Sequence, residues 1–162
     1  MAMIFDVTTL LGFHTVVSLI ALVAGLVVVL GMLGGHTLPG MTALFLATAI
    51  LTSATGFLFP VDRILPSHIF GVVSLLALGA AALGRYAFGY AGKWRLIYVL
   101  GVVLATYLDA FVAVVQVFLK IPAAHELAPT QGEPPFAAAQ GLLLLAFILL
   151  AILASKRFRP LG

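Results

Sequence analysis

Five side chains in this sequence could do chemistry in an apolar setting: His14, His68, Asp109, Gln116 and Gln140. Neutral imidazole nitrogens ligate metals, and two of them on facing helices are what axial ligation of a b-type haem requires. Phe13, Phe59 and Phe70, with the small residues Gly12, Gly56 and Gly71, suit a flat macrocycle. A divalent or copper site at His14 and His68, joined by His125, is a second use of the same nitrogens. Structural or pH-sensing histidines with no cofactor at all are the third.

A carboxylate such as Asp109 costs about 2.5–3.5 kcal/mol at the centre of a membrane helix, so it is either neutral or partnered. Partners would come from other helices, His14 among them, or from a water chain. Asp109 is then either a protonated structural group or a proton or cation site. Gln116 and Gln140 either line a pocket or bond each other. Hydroxyls such as that of Thr52 either face that pocket or return to a carbonyl of their own helix.

The elements that must hold these groups are long and apolar. No Asp, Glu, Lys or Arg occurs from Val7 to Val61, a stretch far longer than the roughly 20 residues that cross a bilayer once. Gly, Pro and charge clusters divide the 162 residues into five helices, at about 8–33, 40–59, 67–90, 95–119 and 136–155. The expected fold is all-α: a polytopic membrane helical bundle of five transmembrane helices, forming one domain over residues 1–162 without internal repeats. The connection from Lys120 to Pro135, with four prolines, is expected to be an ordered loop that makes no further span. Within it Gln131 and Glu133 either form a lid over the pocket mouth or belong to a turn that simply leads into helix five.

Depth and spacing gather the polar groups. At 1.5 Å per residue His14 lies about 9 Å inside helix one, Gln116 and Gln140 about 6 Å inside theirs, and Asp109 about 16 Å from Lys120. Thr106, Asp109, Gln116 and Lys120 share one helical face; Thr48, Thr52, Thr55 and Phe59 share another, as do His14, Ser18 and Gly25. A polar pocket in one half of the bundle, lined by at least four helices, is therefore expected. The other half reads as almost wholly Ala, Leu, Val and Gly. The small-residue stretch Gly79 to Gly84 reads as a close-packing surface, whether within the chain or in a homo-oligomer or larger membrane complex.

Composition excludes other classes. Charged residues are only 8% of the chain, hydrophobic ones 64%, and cysteine is absent, against a soluble norm of about 25% charged. A water-facing domain, thiolate metal sites and covalent haem attachment all fall away. The net charge of +3 does not signal nucleic acid, because the basic residues stand at membrane edges. One side carries Arg85, Lys93, Arg95, Lys156, Arg157 and Arg159; the other has Arg63 and Lys120 against Asp6, Asp62, Glu126 and Glu133. The positive side faces the cytoplasm by the usual rule, which puts the C-terminus inside, the N-terminus outside and the first span retained. No Gly-x-Ser-x-Gly, His-Glu-x-x-His or phosphate loop is present, so conventional hydrolysis is not expected, and other enzymatic activity is left open.

Thr52-Ser53-Ala54-Thr55-Gly56-Phe57-Leu58-Phe59-Pro60, Pro66-Ser67-His68, Lys93-Trp94-Arg95 and Ala128-Pro129-Thr130-Gln131-Gly132-Glu133-Pro134-Pro135-Phe136 resemble a family of small uncharacterised bacterial inner-membrane proteins. The resemblance covers most of the chain from Thr42 onward and brings no activity with it. In that pattern the position of Asp109 is more often Asn, which implies that a neutral amide serves there. The expected function is an inner-membrane protein whose outward-facing pocket, bounded by His14, Thr52, His68, Asp109, Gln116 and Gln140, holds b-type haem, a metal ion or a quinone-like lipid. The rival readings are a small-solute or proton transporter and an accessory subunit of a larger complex.

Overall fold

Six helices follow from the apolar runs and their punctuation. The computed structural model describes residues 5–60 and 66–160; the part of the second connection that holds Asp62 and Arg63 lies outside the described residues. The helices are α1 Leu10–Leu33, α2 Pro39–Gly56, α3 Pro66–Ala82, α4 Lys93–Lys120, α5 Pro122–Leu127 and α6 Pro134–Arg157. A π-helical turn, Leu83–Ala87, extends α3. Five of these helical stretches are long and apolar enough to cross a membrane, and the chain is an all-α helical bundle. Each expected span matches an observed helix to within a few residues.

The punctuation works as local chemistry. Thr9 caps α1, its side chain accepting from the Gly12 amide at 3.1 Å, because the first turn of a helix has no internal partners for its N–H groups. Pro39 starts α2, and Pro134 and Pro135 start α6, where a missing N–H costs nothing. α5 is the one helix the sequence does not announce. Pro122 sets its first turn, and it lies in the long loop without adding a span.

Spans alternate in direction, so the bundle has two ends. One, here the outer end, holds residues 5–9, the start of α3 and the loop 121–133. The other, the basic end, holds residues 34–38, 88–92 and 158–160. α4 is the central stave and packs against α1, α3 and α6. Its apolar face joins Tyr98, Val99, Val102 and Ala105 to Ala21, Val28, Phe45 and Leu78 in the core. Small residues bring backbones together. A Cβ on Gly101 would stand 2.6 Å from the Ala77 carbonyl oxygen, and one on Gly25 would stand 2.6 Å from Thr106 Oγ1. The small-residue stretch of α3 is divided: Ala77, Ala81 and Gly84 are buried, whereas Gly79 is exposed with nothing near its missing Cβ. α6 buries only Phe147 and Ala154 and turns Leu142, Leu145 and Leu149 outward, which suits lipid.

Candidate functional site

The outer half of α1 and α2 builds the first group of polar contacts. The Nδ1 atom of His14 lies 2.8 Å from Thr55 Oγ1. That hydroxyl has a single proton, and it is directed to the carbonyl of Leu51 at 2.7 Å. Thr55 is therefore the acceptor, and His14 donates through Nδ1–H. The tautomer follows: Nε2 carries a lone pair and makes no hydrogen bond among the described residues. The imidazole is half-buried, with the Phe59 ring edge-on at 5.2 Å. Gly56 keeps the surface of α2 flat beside it, since a Cβ there would lie 3.8 Å from His14 Cε1.

His68 begins α3, also half-buried, with its ring 5.6 Å from that of Phe57. Phe57 in turn fills the space over Gly71, where a Cβ would meet its ring at 2.9 Å. Each histidine is thus paired with its own phenylalanine from the end of α2. His125 lies on α5, its Nδ1 3.2 Å from the Phe118 carbonyl. Among the described residues no three His, Asp or Glu side chains group as a metal site would need.

Deeper in the bundle are four buried oxygen atoms with no hydrogen-bond partner: Thr52 Oγ1, Ser74 Oγ, Asp109 Oδ2 and Gln140 Oε1. They come from α2, α3, α4 and α6. The relative depth of two of them can be fixed. α2 and α4 run in the same direction and meet where Thr42 Oγ1 lies 3.4 Å from Tyr98 Oη; Thr52 and Asp109 stand about 15 and 16 Å farther outward. Gln140 is tied to α4 by its Nε2, which donates to the Phe111 carbonyl at 3.2 Å, two residues from Asp109. The Phe70 ring of α3 meets Phe111 edge-on at 5.2 Å, which sets Ser74 one turn inward of that level. Four orphan oxygens therefore lie in one mid-bundle layer.

Two expectations need correction. Gln116 does not join the layer: it is exposed, although it shares a helical face with Asp109. α2 ends at Gly56, level with about position 112 of α4, so Gln116 stands about one turn past the helix it would face. Nor does it bond Gln140, whose Nε2 is held at the Phe111 carbonyl, five residues back along α4. The loop does not present free side chains over a mouth either. Gln131 Nε2 donates to the Val115 carbonyl at 3.3 Å, and the Glu133 carboxylate accepts from the Thr130 hydroxyl at 2.8 Å and from its amide. Burial pushes the Glu133 carboxyl up, but these donors outweigh it and hold the group below its ordinary value. The Thr stripe on α2 divides as well. Thr48 and Thr55 donate to Leu44 and Leu51 of their own helix, and Thr52 does not.

The basic end carries a cluster that composition hides. Among its small and aliphatic residues Tyr98 and Phe158 are fully buried, and Tyr90 packs edge-on against both at 4.9 and 5.4 Å. Tyr90 has φ 64°, a left-handed conformation that costs a bulky residue about 1–3 kcal/mol. This backbone turn aims its hydroxyl at Arg85, whose Nη1 donates to it. Burial raises the Tyr90 phenol above its ordinary value, against the opposing pull of the Arg85 cation. The guanidinium lies 5.3 Å from the Tyr86 ring centre, and its Nε is buried with no partner. Arg95 reaches the end of α6, where its Nη1 donates to the carbonyls of Ser155 and Phe158 at 2.8 and 2.7 Å. The density of aromatics in Arg85-Tyr86-Ala87-Phe88-Gly89-Tyr90 is the signal that points here.

Two surface concavities are described. An apolar groove of about 320 Å³ runs between α1 and α2 along Leu19, Ile20, Val23, Ala24, Met41 and Leu44. A recess of about 280 Å³ at the basic end is lined by Thr37, Arg85, Tyr86 and Tyr90. No protein-family model, no curated protein and no solved structure matches the chain.

Proposed function

We propose that this multi-pass membrane protein binds a largely apolar ligand in its outer half, with His14 as the residue that meets it, and that b-type haem is that ligand. The single observation that supports the reading is the imidazole of His14. Its Nδ1–H is committed to Thr55, so Nε2 is left as a neutral, oriented electron-pair donor, which is how protein scaffolds prepare histidine for a metal. His68 would supply the second nitrogen, and Phe57 and Phe59 would flank the macrocycle. A quinol-like lipid is the alternative occupant, since its O–H could donate to the same Nε2. The bilayer in question is the bacterial inner membrane, with the basic end in the cytoplasm and the N-terminus outside.

The test is an oxidised-minus-reduced optical spectrum of purified protein with extraction of bound lipid and metal analysis. Haem binding gives a Soret band that His14→Ala abolishes. A co-extracted quinone that His14→Ala reduces without any Soret band moves the assignment to quinol. Neither species in stoichiometric amount overturns the proposal.

A second reading, proton or small-solute transport, is favoured by the orphan oxygens of Thr52, Ser74, Asp109 and Gln140. Buried polar atoms without protein partners are the places where water enters a membrane protein. Flux into proteoliposomes that Asp109→Leu abolishes and Asp109→Asn changes differently supports a proton path. Equal flux in both variants and the wild type rejects it.

A further inference from the structure

Among the described residues the basic end holds six cations and no acidic side chain. Arg85, Lys93, Arg95, Lys156, Arg157 and Arg159 stand there, while among the described residues Asp6, Glu126 and Glu133 belong to the outer end and Asp109 to the middle. Arg95 is occupied by the carbonyls at the end of α6. Arg85 is different. Among the described residues its charge is met by aromatic rings and the phenols of Tyr90 and Tyr86, its Nε has no partner, and it borders the recess with Thr37, Tyr86 and Tyr90.

We propose that this recess binds a phosphate group, and that the phosphate belongs to the headgroup of an anionic phospholipid. Three features support it. A guanidinium offers several N–H donors in a planar fork that matches phosphate oxygens, and here one donor is used by Tyr90 while others remain. The π-helical turn Leu83–Ala87 widens the helix at Arg85; such turns recur at functional sites. It is held rigidly, because Gly84 sits where a Cβ would stand 2.8 Å from the Trp94 carbonyl oxygen. Finally, Phe88, which stands in the chain between Tyr86 and Tyr90 of the recess, stacks on Trp94 at 4.0 Å, and Trp is characteristic of the headgroup level of a bilayer. Depth thus favours a lipid phosphate over a dissolved one. The Thr37 hydroxyl and the Tyr86 phenol are the remaining polar groups of the wall, suited to the glycerol or ester oxygens next to the phosphate.

The experiment is native mass spectrometry of the full chain in a neutral detergent, titrated with phosphatidylglycerol and phosphatidylcholine, with and without inorganic phosphate. The expected result is a preference of about tenfold for phosphatidylglycerol, lost in Arg85→Gln, partly kept in Arg85→Lys, reduced about threefold in Tyr90→Phe and unchanged in Lys156→Gln. Failure of millimolar phosphate to displace the lipid supports the lipid headgroup as occupant, whereas displacement without retained lipid assigns the recess to a free phosphate and overturns the lipid proposal. Equal retention of the two lipids by the wild type, or undiminished phosphatidylglycerol binding by a folded Arg85→Gln, also overturns it. Should Arg85→Gln not fold, Tyr86→Ala, on the exposed wall of the same recess, makes the same distinction.

Discussion

At the outer end polar side chains are satisfied one at a time and mostly by their own helix, whereas at the basic end they are joined across helices by aromatic rings. Thr15, Thr48 and Thr55 each donate to a carbonyl one turn back, and the chief side-chain bridge between spans is that of His14 to Thr55. By contrast Tyr98, Tyr90, Phe158, Thr42, Arg85 and Arg95 link α2, α3, α4 and α6 in one connected cluster. The difference is instructive, because lipid gives helices no hydrophobic reason to associate and leaves packing and interhelical hydrogen bonds to hold them. The basic end concentrates those forces. The outer half, by contrast, ties its spans together by few side-chain bonds and leaves the oxygens of Thr52, Asp109 and Gln140 without a protein partner.

The contrast can be broken most forcefully at Tyr98. Its ring is fully buried among Tyr90, Phe158 and Gly84, so Tyr98→Ala is expected to cost about 3–5 kcal/mol, the range for emptying a large aromatic site. Unfolding from detergent or bicelles measures this, and a loss below about 1 kcal/mol would mean that the aromatic cluster does not hold the bundle. A pair of small changes sharpens the same point. Gly84→Ala drives a Cβ into the Trp94 carbonyl and is expected to cost about 1–3 kcal/mol, while Gly56→Ala, with only an ordinary contact at 3.8 Å, leaves stability within about 0.5 kcal/mol. Equal effects at the two glycines would erase the distinction between the ends.

Smaller still is Thr55→Val. The lost contact to His14 is an interhelical hydrogen bond within the membrane, worth about 0.6 kcal/mol, but the change also frees the imidazole tautomer. Nitrogen-15 shifts of His14 should then pass from one tautomer to a mixture, and an unchanged spectrum would show that Thr55 does not set it. The least effect is expected at the outer loop. Glu133 has its carboxyl lowered on folding, so its contribution is complete above the ordinary glutamate value and disappears as pH falls through the lowered one. Hydrogen exchange of the Thr130 and Gly132 amides should rise over that acidic window, and Glu133→Gln should remove the dependence. Exchange that is flat with pH in the wild type would refute the loop bonding.

Much of this architecture was legible because hydropathy and punctuation act over short distances. Gly34-Gly35, Pro39 and Pro134-Pro135 mark helix ends in the sequence, and the helices stop within a few residues of them. Periodicity correctly set Asp109 and Thr106 on the inward surface of α4. It failed at Gln116, because a shared face says nothing of whether the neighbouring helix extends that far. His14 was legible as a buried group, but its partner was not, since that depends on the relative sliding of α1 and α2. The Arg85 cluster shows in the sequence only as a local density of aromatics; its geometry was illegible, because it depends on a π turn and on a left-handed Tyr90, and neither follows a repeating pattern. The four orphan oxygens became visible only when the bonds of Thr48 and Thr55 could be told apart from that of Thr52.

α6 meets the rest of the chain mainly along α4, and among the described residues its side-chain ties run through Gln140 toward one extremity and the carbonyls held by Arg95 at the other. Between these fasteners its outward leucines are held by nothing in the protein. The last span is therefore a stave clamped near its two ends, and along its length it rests on α4 through Phe147 and Ala154 while its other side is left to the surroundings.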